Sequence, residues 1–247
     1  MQYKAIFIDI DDTLLDYVPC CREAFHEAME VIRSRGEEEI GGEEKLFNLF
    51  FAISGRLFSE AKHGLHTISE VMELYPREFV ERMNELTNEG MNEAELSHRT
   101  DIFKHAFRAA WGKTHTLVPG AKELLAHLHA KGYRLFAASN SFGHLQRSRL
   151  EQAGIAAYFE DTYISMDIGY DKPDVRFYEE ALRRCGLSAR EVLMVGDSMT
   201  TDILGAKKAG IDAVYFDRGR SVVSSQPSEK KEEWRTISSL AQLDNLL

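Results

Sequence analysis

The sequence predicts an α/β protein in which a doubly wound parallel sheet carries an inserted all-α domain. Two features predict the sheet. Apolar runs alternate with helix-like segments over residues 116–216, and four of those helices end at a glycine followed by an apolar residue. The third feature is residues 16–113, where apolar side chains recur at helical spacing and β-branched runs are few. These features favour one sheet domain interrupted by a helical insertion.

The first strand is the apolar run Ala5–Ile10, which contains Asp9 and leads into Asp11 and Asp12. Such a run is typical of a strand buried on both faces of a parallel sheet. The acids then fall at its carboxyl end, where open α/β sheets bind ligands. Alternation places Asp9 and Asp11 on one side and Asp12 on the other, which favours a turn role for Asp12. Because converging carboxylates repel unless a cation joins them, the spacing predicts a site for a hard cation such as Mg²⁺.

The inserted segment is predicted to form four or five helices. Apolar side chains such as Phe25 and Phe50 recur at helical spacing, and we interpret the methionine and aromatic stripes as the core of a helix bundle. The predicted organisation is a core domain of residues 1–16 and 114–247 and an inserted helical domain of residues 17–113.

After the insertion, helices and strands alternate. The predicted elements are a helix at 119–130, a strand at 133–139, a helix at 144–153, a strand at 163–165, a helix at 175–184, a strand at 192–195, a helix at 201–209 and a strand at 212–216. The first strand has no neighbouring strand within the insertion, so it must join this later sheet. Residues 219–235 are polar and predict a loop, and residues 240–247 predict a closing helix.

Polar side chains follow the later strands. Ser139 and Asn140 follow the second strand, Lys172 follows the third, and Asp197 follows the fourth, with Asp202 five residues further on. Because carboxyl ends of parallel strands meet at one edge of a sheet, we expect these side chains to lie beside the first acids. Lys172 is the one cation that the sequence is expected to place against the carboxylates there.

The order of these groups resembles the four motifs of the haloacid dehalogenase superfamily of phosphohydrolases. The matching residues are Asp9, Asp11 and Thr13 for the first motif, Ser139 for the second, Lys172 for the third, and Asp197 with Asp202 for the fourth. The resemblance covers residues 1–15 and about 114–218, and the insertion is similar to the helical cap of the first type in that superfamily.

Within the superfamily, the spelling DDTLLD, the run G-D-S-x-T-x-D-I and the Ser-Asn pair are most similar to the nucleotidase-like branch, the pyrimidine 5'-nucleotidases. That branch acts on nucleoside monophosphates, so the resemblance implies a nucleoside 5'-monophosphate as substrate. Two residues depart from the pattern, since Asp12 and Ser141 stand where many relatives have glycine.

The resemblance implies a role for each matching residue. Asp9 would be the nucleophile that forms an aspartyl-phosphate, and Asp11 would protonate the leaving oxygen and then activate water. The Asp9 carboxylate, the Asp11 backbone carbonyl and Asp197 would hold Mg²⁺.

The other matching residues would bind phosphate or support the site. Ser139, Asn140 and Lys172 would bind the phosphate, and Asp202 would orient the metal site or Lys172 from behind.

Bulk composition narrows the class of partner. The net charge of −10 and the pI of about 5.4 disfavour binding to a nucleic acid polymer. Three cysteines and the lack of a long apolar run or leader pattern favour a cytoplasmic protein that does not enter a membrane. A small phosphorylated metabolite is the expected partner.

Other functions remain open on the same fold. A phosphosugar phosphatase or mutase, or a phosphonate hydrolase, would use the same motifs. A 2-haloacid dehalogenase would need neither a metal nor an acid at the position of Asp11, and the presence of Asp11, Asp197 and Asp202 argues against that function. A non-catalytic binding protein would be expected to lose Asp9 or Asp11, and this chain keeps both.

Overall fold

A computed structural model of the chain describes residues 3–34, 42–88, 90–219 and 234–247. Its six strands form one parallel sheet in the order β3-β2-β1-β4-β5-β6. The strands are β1 Ala5–Ile8, β2 Arg134–Ser139, β3 Asp161–Ile164, β4 Val192–Gly196, β5 Asp212–Phe216 and β6 Thr236–Ile237. The chain starts in the middle, winds to one edge and then returns to the other, so the predicted doubly wound sheet is confirmed.

The helices of the described ranges fall before and between the later strands. They are α1 Tyr17–Arg33, α2 Glu43–Lys62, α3 Ile68–Thr87, α4 Glu93–Trp111, α5 Ala121–Ala130, α6 Gly143–Gln152, α7 Ser165–Ile168, α8 Val175–Cys185 and α9 Gly205–Lys208. Each of the four glycines predicted to end a helix has a positive φ, between 65° and 83°. None of these helices combines the length and the apolar composition that crossing a membrane requires.

The sheet is covered on both faces, because alternate residues of each strand belong to different apolar clusters. Ile6 and Ile8 pack in the cluster that includes Leu125 of α5, whereas Phe7 packs in the cluster that includes Phe177 of α8. All four residues of β1 are fully buried, as the apolar run predicts. Asp9 therefore follows a fully buried strand.

Some elements differ from the prediction. The helix expected at 201–209 begins as a π-helical segment, Met199–Leu204, because the Ser198 carbonyl accepts from Ile203 as well as from Asp202 and widens the turn. The closing helix is present as a 3₁₀-helix, Leu240–Leu246. The two-residue β6 was not predicted, and most of the predicted loop at 219–235 lies outside the described residues.

The chain divides into two compact units. The first, residues 1–17 and 115–247, contains the whole sheet. The second, residues 18–114, contains most of α1 together with α2 to α4. We refer to them as the sheet unit and the helical unit.

The helical unit is built around aromatic rings. Phe50 lies at the centre, with its ring centroid 5.2 Å from that of Phe25, 5.5 Å from Phe79, 5.6 Å from Phe103 and 5.0 Å from Phe107. All five side chains are 6% exposed or less. Edge-to-face and tilted rings at these distances attract one another beyond the area that they bury. The predicted aromatic bundle core is therefore confirmed.

Candidate active site

The register of the sheet places the predicted site residues together. Ile8 pairs with Ala137 of β2 and with Val195 of β4, so the residues after it run level with Ser139 and Asp197. The backbone N–H of Asp9 donates to the Val195 carbonyl at 2.9 Å, which continues the ladder by one residue. The Asp9 carboxylate is thus fixed at the carboxyl end of the central strand, and the residue is 7% exposed.

Lys172 lies beside Asp9 and is 3% exposed. Its Nζ donates to Asp9 Oδ1, to Asp202 Oδ1 and to the Ala138 carbonyl, each at 2.7 Å. An ammonium group has three protons, so all of them are used. Lys172 is therefore the counter-ion of two buried carboxylates in this structure.

Burial and charge act in opposite directions on the pKa values of this pair. Burial raises the pKa of Asp9 to about 7, against the lowering effect of Lys172 and with a further raise from Asp202. Burial by itself would lower the pKa of Lys172, but the charges of Asp202 and Asp9 outweigh it and raise that pKa above its ordinary value. Lys172 therefore stays protonated. A further cation beside Asp9 would favour the ionised form of the Asp9 carboxylate.

Asn140 holds the loop that carries Lys172. Its Nδ2 donates to the Lys172 carbonyl at 2.8 Å, and its Oδ1 accepts from the Lys172 N–H at 2.7 Å. A side-chain amide that bonds both ends of one residue acts like a paired strand and sets the direction of the lysine. The resemblance implied phosphate binding at Asn140, whereas the structure turns its side chain towards Lys172; phosphate binding there stays a prediction.

Asp202 is 1% exposed and lies on the π-helical segment. Its Oδ1 accepts from Lys172 and its Oδ2 accepts from the backbone N–H of Ser198 at 3.0 Å. A Cβ on Gly196 would lie 2.3 Å from Asp202 Oδ2, so the glycine before Asp197 makes room for this carboxylate. The G-D-x-x-x-x-D spacing therefore reflects a packing requirement as well as chemistry.

Three carboxylates converge closely enough to hold a metal ion. Asp9, Asp197 and Asp202 each offer an oxygen, and these atoms lie within 4.8 Å of one another. An all-oxygen set suits a hard cation such as Mg²⁺. The oxygens of Asp202 already accept from Lys172 and Ser198, whereas Asp197 is partly exposed and accepts a long bond of 3.4 Å from Thr13 Oγ1. Direct contact of Asp9 and Asp197 with a metal ion stays a prediction.

Asp11 has partners that the sequence analysis missed. Arg149 Nη1 donates to Asp11 Oδ1 at 2.7 Å, and Gln146 Nε2 donates to Asp11 Oδ2 at 2.7 Å and to Ser139 Oγ at 2.9 Å. Arg149 is fully buried. The expectation that Lys172 is the one cation against the carboxylates is therefore wrong, because α6 brings a second.

The signal for these partners was weak. Gln146 and Arg149 are three residues apart on a predicted helix, where such side chains are ordinarily solvent-exposed. Only the rotation of α6 against the sheet decides that both point inwards.

Asp12 takes the turn role that alternation predicts. Its φ is 58°, a conformation that glycine adopts freely and that other residues seldom adopt. The carboxylate accepts from the Tyr17 N–H at 3.2 Å and lies 3.5 Å from Arg218, which bonds Asp16 at 2.7 Å. Burial raises the pKa of Asp12 to about 6, although the bond from Tyr17 opposes this.

Comparison with known proteins identifies the family to which the chain belongs. The model of the haloacid dehalogenase-like hydrolases matches residues 3–210. The chain is 29% identical over 219 residues to the pyrimidine 5'-nucleotidase PynA of Streptococcus pneumoniae, covering 88% of this chain and 85% of that protein. It is 30% identical over 247 residues to a glyceraldehyde 3-phosphate phosphatase of Methanothermobacter thermautotrophicus, covering 99% of each.

A solved structure shares the fold. The magnesium-bound HAD-hydrolase YfnB of Bacillus subtilis superposes with a TM-score of 0.77 at 24% identity, covering 100% of this chain and 99% of that one. At this level of identity the likeness is evidence for the fold alone.

Proposed function

The chain belongs to the haloacid dehalogenase-like hydrolases and is a phosphatase of that family; we propose that it requires Mg²⁺ and hydrolyses a nucleoside 5'-monophosphate through an aspartyl-phosphate at Asp9. The observation that carries this proposal is the buried Asp9 carboxylate, 2.7 Å from Lys172 and grouped with Asp197. A carboxylate nucleophile needs neighbouring positive charge before it can approach an anionic phosphate.

In the first step, an Asp9 oxygen bonds to phosphorus while the bond from phosphorus to the leaving oxygen breaks. Asp11 gives its proton to that leaving oxygen, so the nucleoside departs as an alcohol. In the second step, water attacks phosphorus, Asp11 takes a proton from the water, and the bond between Asp9 and phosphorus breaks. Inorganic phosphate leaves, and Asp9 and Asp11 return to their starting forms.

Lys172 and Ser139 stabilise the transferring group. As Asp9 bonds to phosphorus, its negative charge moves to the phosphoryl oxygens, and the bond that Lys172 makes to Asp9 can pass to one of them. The Ser139 hydroxyl, 2% exposed and held by Gln146, is placed to donate to another oxygen. Asp202 keeps Lys172 in position during this exchange.

The carboxylates that converge here fit a divalent cation of the Mg²⁺ type, because each of them offers an oxygen ligand. We propose that the Asp9 carboxylate, the Asp11 backbone carbonyl and Asp197 hold it. When bound, Mg²⁺ supplies positive charge that reduces repulsion between Asp9 and the phosphate.

The nucleotide substrate is supported by the motif spelling and by the similarity to PynA. A second candidate, a small sugar phosphate, is supported by the glyceraldehyde 3-phosphate phosphatase that matches over the full length. We propose that the inserted residues 17–113 act as the cap that selects between them, as their resemblance to the helical cap of the first type implies.

Phosphate release over a panel of nucleotides, phosphosugars and small phosphates tests this proposal. The expected result is turnover that needs Mg²⁺, stops in EDTA, and is most efficient with nucleoside 5'-monophosphates. If phosphosugars exceed every nucleotide in kcat/KM, the nucleotide half is wrong. Full activity in EDTA would refute the metal half.

A further inference from the structure

The buried face of helix α6 contains polar as well as apolar side chains. Its buried residues are Gly143, Leu145, Gln146, Arg149 and Leu150. Both Gln146 and Arg149 are 0% exposed. A buried guanidinium costs free energy unless it is paired and hydrogen-bonded, and an apolar side chain of similar volume would often be as stable there. These two residues therefore call for a reason other than packing.

The contacts of these residues converge on one carboxylate. Arg149 donates to Oδ1 of Asp11 and Gln146 donates to Oδ2, both at 2.7 Å, so each oxygen of Asp11 has its own donor. Arg149 Nη1 also donates to Gln146 Oε1 at 2.8 Å, which ties the two donors together. The second proton of Gln146 Nε2 reaches Ser139 Oγ at 2.9 Å. Asp11 thus lies in a closed network that prevents free rotation of its carboxylate.

From this geometry we infer that Gln146 and Arg149 are positioning residues that aim Asp11 at the leaving oxygen of the substrate. The inference rests on the proposed function, in which Asp11 passes a proton to that oxygen as its bond to phosphorus breaks. Proton transfer requires hydrogen-bond distance, so a carboxyl group that rotates freely is seldom in place. Each oxygen of Asp11 keeps a second lone pair, so the group can carry the proton without losing its two donors.

Leaving groups differ in their need for this proton. The leaving group of an alkyl phosphate departs as a basic alkoxide unless its oxygen is protonated. In contrast, p-nitrophenolate is a weak base and departs readily without a proton. Loss of Arg149 should therefore reduce kcat/KM for the alkyl substrate and spare the p-nitrophenyl substrate. A variant that is merely destabilised would reduce both equally, because less enzyme would be folded.

Arg147 offers a matched control on the same helix. Its side chain is 46% exposed and donates to Asp167 Oδ2 at 2.7 Å, away from Asp11. Arg147→Met removes the same charge from α6 as Arg149→Met. It leaves both donors to Asp11 intact.

The experiment compares kcat/KM for propyl phosphate and p-nitrophenyl phosphate, with Mg²⁺, in the wild type, Arg149→Met, Gln146→Met, Arg149→Lys and Arg147→Met. We expect Arg149→Met to lose about 10- to 100-fold on propyl phosphate and less than about threefold on p-nitrophenyl phosphate. Gln146→Met should show the same pattern more weakly, Arg149→Lys should recover part of the loss, and Arg147→Met should stay within about twofold of wild type on both.

A double-mutant cycle with Asp11→Asn completes the test. Once Asn replaces Asp11, Arg149→Met should reduce kcat/KM on propyl phosphate by no more than about twofold, because the group that it aims is gone. An equal loss on both substrates, or full additivity with Asp11→Asn, would overturn the inference. If Arg149→Met does not fold, Gln146→Met carries the same comparison, since it removes no charge.

Failure of this inference is distinguishable from failure of the proposed function. A wild type that, with Mg²⁺, releases phosphate from neither test substrate nor any nucleoside 5'-monophosphate would refute the proposed function. An active wild type whose Arg149→Met and Gln146→Met variants keep their rate on propyl phosphate would refute only the positioning role.

Discussion

The two compact units have opposite interiors. In the part of the chain that the structure describes, the buried charged side chains all belong to the sheet unit: Asp9, Asp16, Arg149, Lys172 and Asp202. The buried polar residues of the helical unit are uncharged: Ser54, Thr100 and Thr114. Ion pairs of the helical unit such as Arg56–Glu60 lie at its surface, where they contribute little to stability.

This difference indicates that the interior of the helical unit serves mainly the stability of the fold, whereas the buried charges of the sheet unit serve its chemistry. Aromatic rings that pack as they do around Phe50 stabilise a fold without any desolvated charge. Buried ion pairs are weak evidence for stability, because desolvation offsets their attraction. The charges of the sheet unit are therefore best explained by chemistry, and the two interiors should respond differently to substitution.

The largest expected effect is on activity in the sheet unit. Asp9→Asn should reduce turnover about 10⁴-fold or more, as losses of catalytic nucleophiles do. In EDTA at pH 7 its melting temperature should stay at or above that of wild type, because the carboxylate with the raised pKa is removed while Asp202 and the Ala138 carbonyl still accept from Lys172. Phosphate release and a thermal melt on the same sample check this. A variant that keeps more than a tenth of wild-type turnover would exclude Asp9 as the nucleophile.

The next largest expected effect is the loss of activity in Asp11→Asn. Asp11→Asn keeps the size of the side chain and the backbone carbonyl but transfers no proton, so kcat/KM on an alkyl phosphate should fall about 10²- to 10⁴-fold. The loss should be smaller on p-nitrophenyl phosphate, whose leaving group needs less help. Steady-state kinetics on both substrates measure the difference. Wild-type rates on the alkyl phosphate would contradict the acid/base role.

The helical unit should show the reverse behaviour. Phe50→Ala removes the central ring and should lower the free energy of unfolding by about 3–5 kcal/mol, through lost burial and a cavity. Arg56→Ala, which breaks surface pairs to Glu60 and Glu78, serves as the control and should shift the urea midpoint far less. Urea unfolding followed by circular dichroism checks both. An equal shift in the two variants would mean that the aromatic core does not dominate this unit.

Much of the fold and site follows from local patterns. The apolar run before Asp9 and the parallel topology determine which edge receives Ser139, Lys172 and Asp197, because carboxyl ends of parallel strands always meet. Because side chains alternate along a strand, the sequence predicts different roles for Asp11 and Asp12, and the structure places Asp12 in a turn.

The remaining features depend on tertiary contacts. The inward direction of Gln146 and Arg149 follows from how α6 rotates against the sheet, and neither residue type signals burial. The π-helical turn that carries Asp202 depends on a carbonyl of Ser198 accepting from two N–H groups, which no sequence spacing specifies. The Asn140 side chain bonds the backbone of Lys172, which lies 32 residues further along the chain.

The central claim is that the carboxylates around Asp9 form a cation site whose charges serve function. At pH 7 without Mg²⁺ this site should destabilise the fold, since burial, with a further raise from Asp202, raises the pKa of Asp9 from its ordinary 3.8 to about 7. A carboxyl group with a raised folded pKa binds its proton more tightly in the folded state, so stability falls as pH rises from about 4 to 7 and recovers on acidification.

The most direct test is a thermal melt of wild type and Asp197→Asn in EDTA and across a Mg²⁺ series at pH 7. Wild type should gain about 2.7 kcal/mol at one hundred times the Kd, because Mg²⁺ binds only the folded site. Asp197→Asn should melt at or above wild type in EDTA and respond far less to Mg²⁺. A mutant that keeps the full Mg²⁺ response would contradict the account, since Asp197 would then not be a ligand.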